Sequence, residues 1–425
     1  MTNNATETAA VGVFLDQIDS AIASYLESCV HCGQCAEACH FYEVTGDPKY
    51  TPTYKLFPMV KMYERHKAPF SGLKRAIGLA PPVVTDDELE DWSRLIYDSC
   101  TMCGRCTLVC PMGIDIAGAI RKTRQGMVAA GVVPEGLNAA AERHLEIGSP
   151  LGIKPEVMRH IVEEQAKETG IPIELDKVGA DYMVILSAIE VLTFYEVIGA
   201  LAKIFKRAGI SWTISTEAYE ATNVGIQMGS KDIAATLIQR IVDAAEKLKV
   251  KYVISPECGH AYSALKWEGP NLIGRAYDFE VVHILELLDQ LRREGRLPTE
   301  GKDGRRITYH DPCQIVRRGG IVAEPRHLID QVSSNFVEME HAGIANICCG
   351  GGGGVSSNGR AEELRLKAFA CKKKQIDDIG GVDALVTSCA NCRNVLEEAI
   401  DDYGMELPVI GLTEFIAAQI PDDGE

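Results

Sequence analysis

The stretch CVHCGQCAEACH, residues 29–40, sets cysteines at 29, 32, 35 and 39, and CTMCGRCTLVCP, residues 100–111, repeats that spacing at 100, 103, 106 and 110. A turning loop with a thiolate at every third residue wraps three corners of a [4Fe–4S] cube. The fourth cysteine, one helical turn further on, points away and reaches a second cube. By that rule Cys29, Cys32, Cys35 and Cys110 hold one cubane cluster, and Cys100, Cys103, Cys106 and Cys39 hold the other. Paired zinc sites are the competing reading, but zinc ligands usually alternate two close residues with a long gap, which neither run does. His40 stands where the second run has Pro111. It either hydrogen-bonds a cluster sulfur and tunes its potential, or is an exposed residue at a helix end.

The two runs lie too far apart for a compact bacterial ferredoxin, and the sequence around them is helical. Val13, Phe14, Ile18, Ile22 and Leu26 recur at helical spacing, as do Leu56, Met59, Val60, Met62 and Tyr63. Pro81-Pro82 breaks the pattern, and Thr85-Asp86-Asp87-Glu88-Leu89 reads as a helix start with an acidic first turn. Residues 1–147 are expected to form an α-helical domain carrying both clusters.

Fifteen cysteines in a chain of 425 residues, most in tight clusters, read as metal ligands where thiols stay reduced. The N-terminal MTNNATETAAVG lacks the basic start and apolar core of a leader, and the most apolar stretch, 181–205, is broken by Glu190, Glu196 and Lys203. A net charge of −17 repels phosphate backbones and anionic headgroups. The expectation is a cytoplasmic protein with no nucleic-acid partner and no direct membrane insertion.

A linker over 148–176 carries Gly148-Ser149-Pro150 and Gly170-Ile171-Pro172. Beyond it, short β-branched runs alternate with amphipathic helices: Met183 to Leu186, Val191 to Arg207, Lys251 to Ile254. The order recurs as Ile307 to His310, Arg360 to Ile379 and Asp383 to Thr387. Such alternation predicts α/β layers with mainly parallel sheets. The segment from Val281 to Leu288 also parallels that from Val409 to Ile416, so residues 177–300 and 301–425 read as a duplicated domain.

The second copy carries Cys313, then Cys348-Cys349-Gly350, then Cys389-x-x-Cys392. Adjacent thiolates strain around one tetrahedral ion but can bridge neighbouring irons of a larger, opened cluster. Gly350, Gly351 and the glycines after them let backbone N–H groups approach sulfur. A phosphate loop is the rival reading of this glycine run, but no Lys-Ser/Thr follows it.

These residues, with His310-Asp311-Pro312-Cys313 and Thr387-Ser388-Cys389-Ala390-Asn391-Cys392, resemble the cysteine-rich CCG domain of the heterodisulfide reductase family. The helical part resembles the α-helical ferredoxin module of the same family, so the resemblance spans essentially the whole chain. It implies that Cys313, Cys348, Cys349, Cys389 and Cys392 bind a noncubane [4Fe–4S] cluster that cleaves or forms a disulfide. The first copy departs from the pattern. It reads Leu186-Ser187-Ala188-Ile189 and Ala221-Thr222-Asn223-Val224-Gly225 where cysteines belong, and keeps only Cys258, in Glu257-Cys258-Gly259-His260. One noncubane centre is therefore expected, in the manner of the degenerate first copy of DsrK-type proteins.

A disulfide takes two electrons while each cubane supplies one at a time, so cleavage needs a centre that holds the half-reduced state between deliveries. The reading is an iron–sulfur thiol–disulfide oxidoreductase subunit acting on a disulfide or trisulfide, small or borne on a sulfur-carrier protein. Its partners would be other subunits of a redox complex, a membrane cytochrome or a flavoprotein, because no flavin or nicotinamide fingerprint is present. Two alternatives stay open: a sulfur-oxidising heterodisulfide reductase-like complex serving a lipoate-bearing carrier, and a pure electron-transfer subunit of a quinone-linked dehydrogenase. Cys258 reads as a catalytic redox thiol with His260 shuttling its proton, or as a buried packing residue. Cys371 reads as helical core. Arg317 and Arg318 either favour a leaving thiolate or an acidic partner tail, or are simply solvated.

Overall fold

The computed structural model describes residues 3–421. The terminal residues of the expected first and last domains, 1–2 and 422–425, lie outside the described residues, and with them the first two residues of the N-terminal leader reading. The chain forms two compact units. One comprises the residues up to Ala139 together with Gly225–Lys231 and Gly350–Cys371; the other comprises Ala140–Val224, Asp232–Cys349 and the residues from Lys372 onward.

The first unit is helical. Helix Asn3–Gln17 lies against helix Ile116–Ala130, where Gly126 permits the approach: a Cβ there would sit 2.4 Å from the buried ring of Phe14. The apolar pattern from Val13 to Leu26 is not one helix. It breaks after Gln17, and Asp19 caps a new helix, Ser20–Ser28, by accepting from the Ile22 N–H at 2.9 Å. Thr85 and Glu88 form a capping box that starts helix Asp86–Ser93, as the acidic first turn predicts.

The second unit holds two parallel sheets. Strands β1 (Tyr182–Val184), β2 (Trp212–Ile214), β3 (Tyr252–Ser255) and β4 (Glu280–His283) lie in the order β2-β1-β3-β4. Strands β5 (Ile307–His310), β6 (Ala384–Thr387) and β7 (Val409–Gly411) lie in the order β5-β6-β7. Ile307 also bridges in parallel to Phe336, which fills the place that β2 has in the first sheet. The two sheets thus repeat one order, and β4 and β7 each run directly into a helix, Ile284–Arg293 and Leu412–Ala417. Every residue of β5 and β6 is buried, as strands covered on both faces require. One apolar core runs through both repeats, including Val184, Ile254, Leu285, Ile307, Val386 and Phe415. The expected helices over 191–207 and 360–379 are each interrupted, at Thr193–Tyr195 and at Phe369.

Among the described residues no helix is long and apolar enough to cross a membrane.

Candidate iron–sulfur centres

The two N-terminal cysteine runs share a backbone conformation, not only a spacing. In the first, His31 and Gly33 are left-handed (φ 50° and 84°) and helix Gln34–Glu37 follows; in the second, Met102 and Gly104 are left-handed (φ 53° and 78°) and helix Arg105–Leu108 follows. A left-handed histidine or methionine is costly and is retained where surroundings impose it. Alternation of this kind turns successive N–H groups inward, a concavity that suits an anionic sulfide cluster.

The lining of two cavities sorts the eight cysteines. Cys29, Cys32, Cys35 and Cys110 line one, with Thr53, Leu56 and Ile116. Cys39, Cys100, Cys103 and Cys106 line the other, with His40, Lys55 and Ile120. The fourth cysteine of each run therefore faces the other run's cavity. His40 is buried beside the Phe41 ring, centroids 4.2 Å apart, and is not an exposed helix end. Burial and the charges of neighbouring thiolates push the Cys106 thiol well up, and burial does the same to Cys100. Four thiolates crowded without a cation repel one another, and a bound metal cluster removes that cost.

Lys55 answers part of that charge. It is buried, its Nζ lies 3.6 Å from Cys39 Sγ, and it donates to the Ser99 carbonyl. Arg124, also fully buried, donates to the carbonyls of Ile96 (2.9 Å), Cys100 (2.8 Å), Gln227 and Gly353. It thereby ties the Cys100 loop to the 225–231 and 350–371 segments of the same unit. Gly353 (φ 61°) lies so near that loop that a Cβ would sit 2.9 Å from Thr101 backbone.

In the second unit, Cys313, Cys389 and Cys258 each follow the carboxyl end of a parallel strand, β5, β6 and β3, where open α/β sheets place their sites. His310 and Thr387, in register on β5 and β6, set the spacing of the first two. Cys349, Cys392 and His310 place ligand atoms within 4.8 Å of one another, all buried. Cys348 and Cys392 both stabilise the Cys349 thiolate, with His310, and hold it well below the usual thiol range. Cys389 is held low first by Cys392, then by the N–H groups of Cys392 and Gly259. Cys313 is buried at the head of a π-type turn, Gln314–Arg318. Gly350 is left-handed (φ 96°), a conformation that carries the chain out of the Cys348-Cys349 pair. The Gly351 carbonyl accepts from the Ser356 N–H at 3.2 Å, closing a turn.

These residues suit a metal cluster on chemical grounds. Both ring nitrogens of His310 are buried and fall short of hydrogen-bond geometry, with only thiols such as Cys349 beside them, a state a metal or sulfide would relieve. Lys372, buried in helix Ala370–Asp378, supplies a cation; burial brings it down to about 8, and the charges of Asp311, Cys349, Cys348 and Cys392 oppose that fall. Neither role shows in the sequence. There His310 is only a residue flanking the motif, and Lys372 carries no local signal.

Asp311 proves to be a clamp. It accepts from Arg326 (2.7 Å) and from the Gly343 N–H (2.7 Å), while its carbonyl accepts from Asn346, so it fixes the loop that enters Cys348. Arg317 serves the same loop, donating to the carbonyls of Ile344 (2.8 Å) and Asn346 (3.0 Å), which is neither of the roles expected of it. Arg318 is half-buried, and Cys371 is half-buried rather than core.

Cys258 faces the second repeat. Burial, then the charge of Cys389, pushes its thiol far up, and Gly259 packs so tightly on Gln314 and Ile315 that a Cβ would sit 2.8 Å from each side chain. Thr222 Oγ1 lies 3.9 Å from its sulfur.

Comparison with known proteins agrees with this division. Residues 25–114 match the family model of a 4Fe-4S dicluster domain, and residues 307–397 that of a cysteine-rich domain. The chain is 26% identical over 442 residues to an Hdr-like menaquinol oxidoreductase iron-sulfur subunit 2 of Archaeoglobus fulgidus, covering 92% of this chain and 79% of that protein. It is 26% identical over 404 residues to a subunit of the dihydromethanophenazine:CoB--CoM heterodisulfide reductase of Methanosarcina barkeri, covering 92% and 93%. An EtfAB:quinone oxidoreductase of Syntrophomonas wolfei is 27% identical over 403 residues, covering 88% of this chain and 55% of that one.

Proposed function

We propose that this chain, an iron–sulfur protein of the heterodisulfide reductase D type, is the oxidoreductase subunit that cleaves or forms a disulfide or trisulfide. In this reading Cys29, Cys32, Cys35 and Cys110 hold one cubane, and Cys100, Cys103, Cys106 and Cys39 the other. Cys313, Cys348, Cys349, Cys389 and Cys392 hold a third, noncubane centre. The electron-transfer unit is then the helical one, ending at Ala139 and joined by Gly225–Lys231 and Gly350–Cys371 rather than spanning 1–147. The expected linker 148–176 instead carries helix Pro155–Thr169, which buries Met158 and Val162 in the core of the second unit. Residues 177–300 and 301–425 are the two CCG-type repeats, with the third centre in the second. Bound there, the clusters would supply one-electron transfer and an iron–sulfur face able to take a substrate sulfur.

The chain's own residues have distinct tasks. Lys55 offsets thiolate charge beside Cys39. Asp311 and Arg317 fix the entry to Cys348. Lys372 offsets the charge of Cys348, Cys349 and Cys392 in a water-poor pocket, and the neutral His310 imidazole lies against Cys349. The observation that most supports the reading is the buried convergence of Cys349, Cys392 and His310 at the carboxyl ends of β5 and β6.

The relatives point to partners of two kinds. The names of the Archaeoglobus and Syntrophomonas proteins refer to menaquinol and to quinone, which favours a redox complex reaching a membrane quinone pool through another subunit. That observation also favours a second reading, in which the third centre only relays electrons. Turnover separates the two. Holoprotein with reduced viologen and a small disulfide should release thiols, and Cys349→Ser should abolish release while keeping the cubane electron paramagnetic resonance (EPR) signals. Absence of thiol release by the wild type, on both small and carrier-borne disulfides, would leave the relay.

A further inference from the structure

Where the first repeat lacks cysteines, the fold has gathered a connected set of proton-bearing groups. Glu220 bridges to Leu186 through the backbone, and its Oε1 accepts from the N–H groups of Ala188 (3.3 Å) and Thr222 (3.1 Å). Ala188 and Thr222 belong to the two segments whose counterparts in the second repeat carry Cys313 and Cys348-Cys349. The Thr222 side chain lies near enough to the Glu220 carboxyl to favour its ionised form, and its Oγ1 lies 3.9 Å from Cys258 Sγ. Glu220 Oε2 sits 3.0 Å from His144 Nε2 without hydrogen-bond geometry, so that Oε2 and, on the other side of the ring, His144 Nδ1 are both buried and unsatisfied. Both residues are nearly inaccessible, at 3% and 2% exposure.

A buried acid and a buried imidazole in contact hold one proton between them at neutral pH, and here it lies on the acid. Burial, reinforced by Glu190, lifts the Glu220 carboxyl to about 8. Burial and the charge of Arg240 bring His144 down to about 4. The other titratable groups facing this pair are Tyr219 and Cys258. The geometry is a continuous line, His144 Nε2, Glu220, Thr222 Oγ1, Cys258 Sγ, ending at a sulfur that faces Cys389.

We propose that His144, Glu220 and Thr222 form a proton relay to the sulfur face beside Cys258, serving thiolates released at the third centre. This rests on the disulfide reading above. The overall step is R–S–S–R′ + 2 e⁻ + 2 H⁺ → R–SH + R′–SH. The S–S bond breaks, a one-electron reductant such as reduced viologen supplies both electrons in two steps, and the relay supplies the protons. Glu220 passes its proton through the Thr222 hydroxyl and regains one from the His144 side. In thiol oxidation the same line runs backwards.

The test uses holoprotein and three variants, Glu220→Gln, Thr222→Val and Thr222→Ser. Infrared titration of the wild type should show the carbonyl band of a protonated carboxylic acid that bleaches as pH rises through about 8. Glu220→Gln should lose the Glu220 share of that band and leave the share of Glu257, which is also raised to about 8, while Thr222→Val should keep both. With reduced viologen and hydroxyethyl disulfide, Glu220→Gln and Thr222→Val should keep wild-type iron and cubane signals but lose turnover by about a hundred-fold. Thr222→Ser, which restores the hydroxyl, should recover it. A band of undiminished intensity in Glu220→Gln, or wild-type turnover in Thr222→Val, would overturn the relay. Should the wild type reduce no disulfide, the disulfide reading fails by itself. The relay is then judged by the pH dependence of the third centre's midpoint potential, which Glu220→Gln must remove.

Discussion

The ammonium of Lys55 lies 3.6 Å from the sulfur of Cys39, buried and held in place by the Ser99 carbonyl. Among the described residues, the cavity lined by Cys29, Cys32, Cys35 and Cys110 has no lysine or arginine in its wall, so the two cubanes would sit in unlike fields. A cation close to a cluster favours its reduced, more negative form.

Lys55→Met should therefore lower the potential of the cluster held by Cys39, Cys100, Cys103 and Cys106, by about 100 mV for one charge at an effective dielectric near ~20. The other cluster should move far less. An EPR-monitored redox titration resolves the two, and equal shifts in both would sink the assignment.

Arg124→Met should cost about 3 kcal/mol of stability, because four buried carbonyls lose their donor at once. Two of them belong to Cys100 and Gly353, so the cubane signal of the Cys100 run should broaden along with the drop in melting temperature. A stable variant with sharp signals would mean the guanidinium is not the tie.

His310→Ala should leave iron content and both cubane spectra intact while changing the spectrum of the third centre. The imidazole has no other partner for its two buried nitrogens and lies within 4.8 Å of the Cys349 and Cys392 sulfurs. Nitrogen hyperfine coupling in pulsed EPR, lost in the variant, is the direct readout; its absence from the wild type would remove His310 from the centre.

Stability should fall as pH rises from about 6.5 to 8. Glu220 and Glu257, each raised to about 8 chiefly by burial, keep protons in the fold that the unfolded chain releases near 4.5. Their contribution is complete below the ordinary carboxyl range and is lost as pH climbs through about 8. His144 and His283, brought down to about 4 and about 3 by burial, act oppositely but only below about 6.5. Over that window Glu220→Gln should flatten the decline by about 2 kcal/mol, read from calorimetric melting at several pH values. An unchanged slope would show that Glu220 is already ionised.

Much of this was legible in the sequence because cysteine spacing is a local signal. Thr85 and Glu88 announced their helix, and the short β-branched runs near 183, 252, 307 and 385 announced parallel strands. Broken helices were not legible: the apolar period passes unchanged through Ile18, where Asp19 restarts the helix. Nor were the groups that surround the thiols. Lys55, His310, Lys372 and Glu220 are single polar residues in apolar or mixed segments. The groups they meet lie well beyond local range, from Ser99 for Lys55 to His144 for Glu220. The association of 225–231 and 350–371 with the helical unit is likewise a product of long-range packing, around Arg124.

The third centre is the crux, and iron analysis combined with EPR of the oxidised, thiol-treated protein tests it most directly. The expected result is about twelve irons per chain and a thiol-dependent paramagnetic signal that vanishes in Cys349→Ser while both cubane signals persist. About eight irons with cubane signals alone, or zinc bound at Cys389 and Cys392, would contradict it.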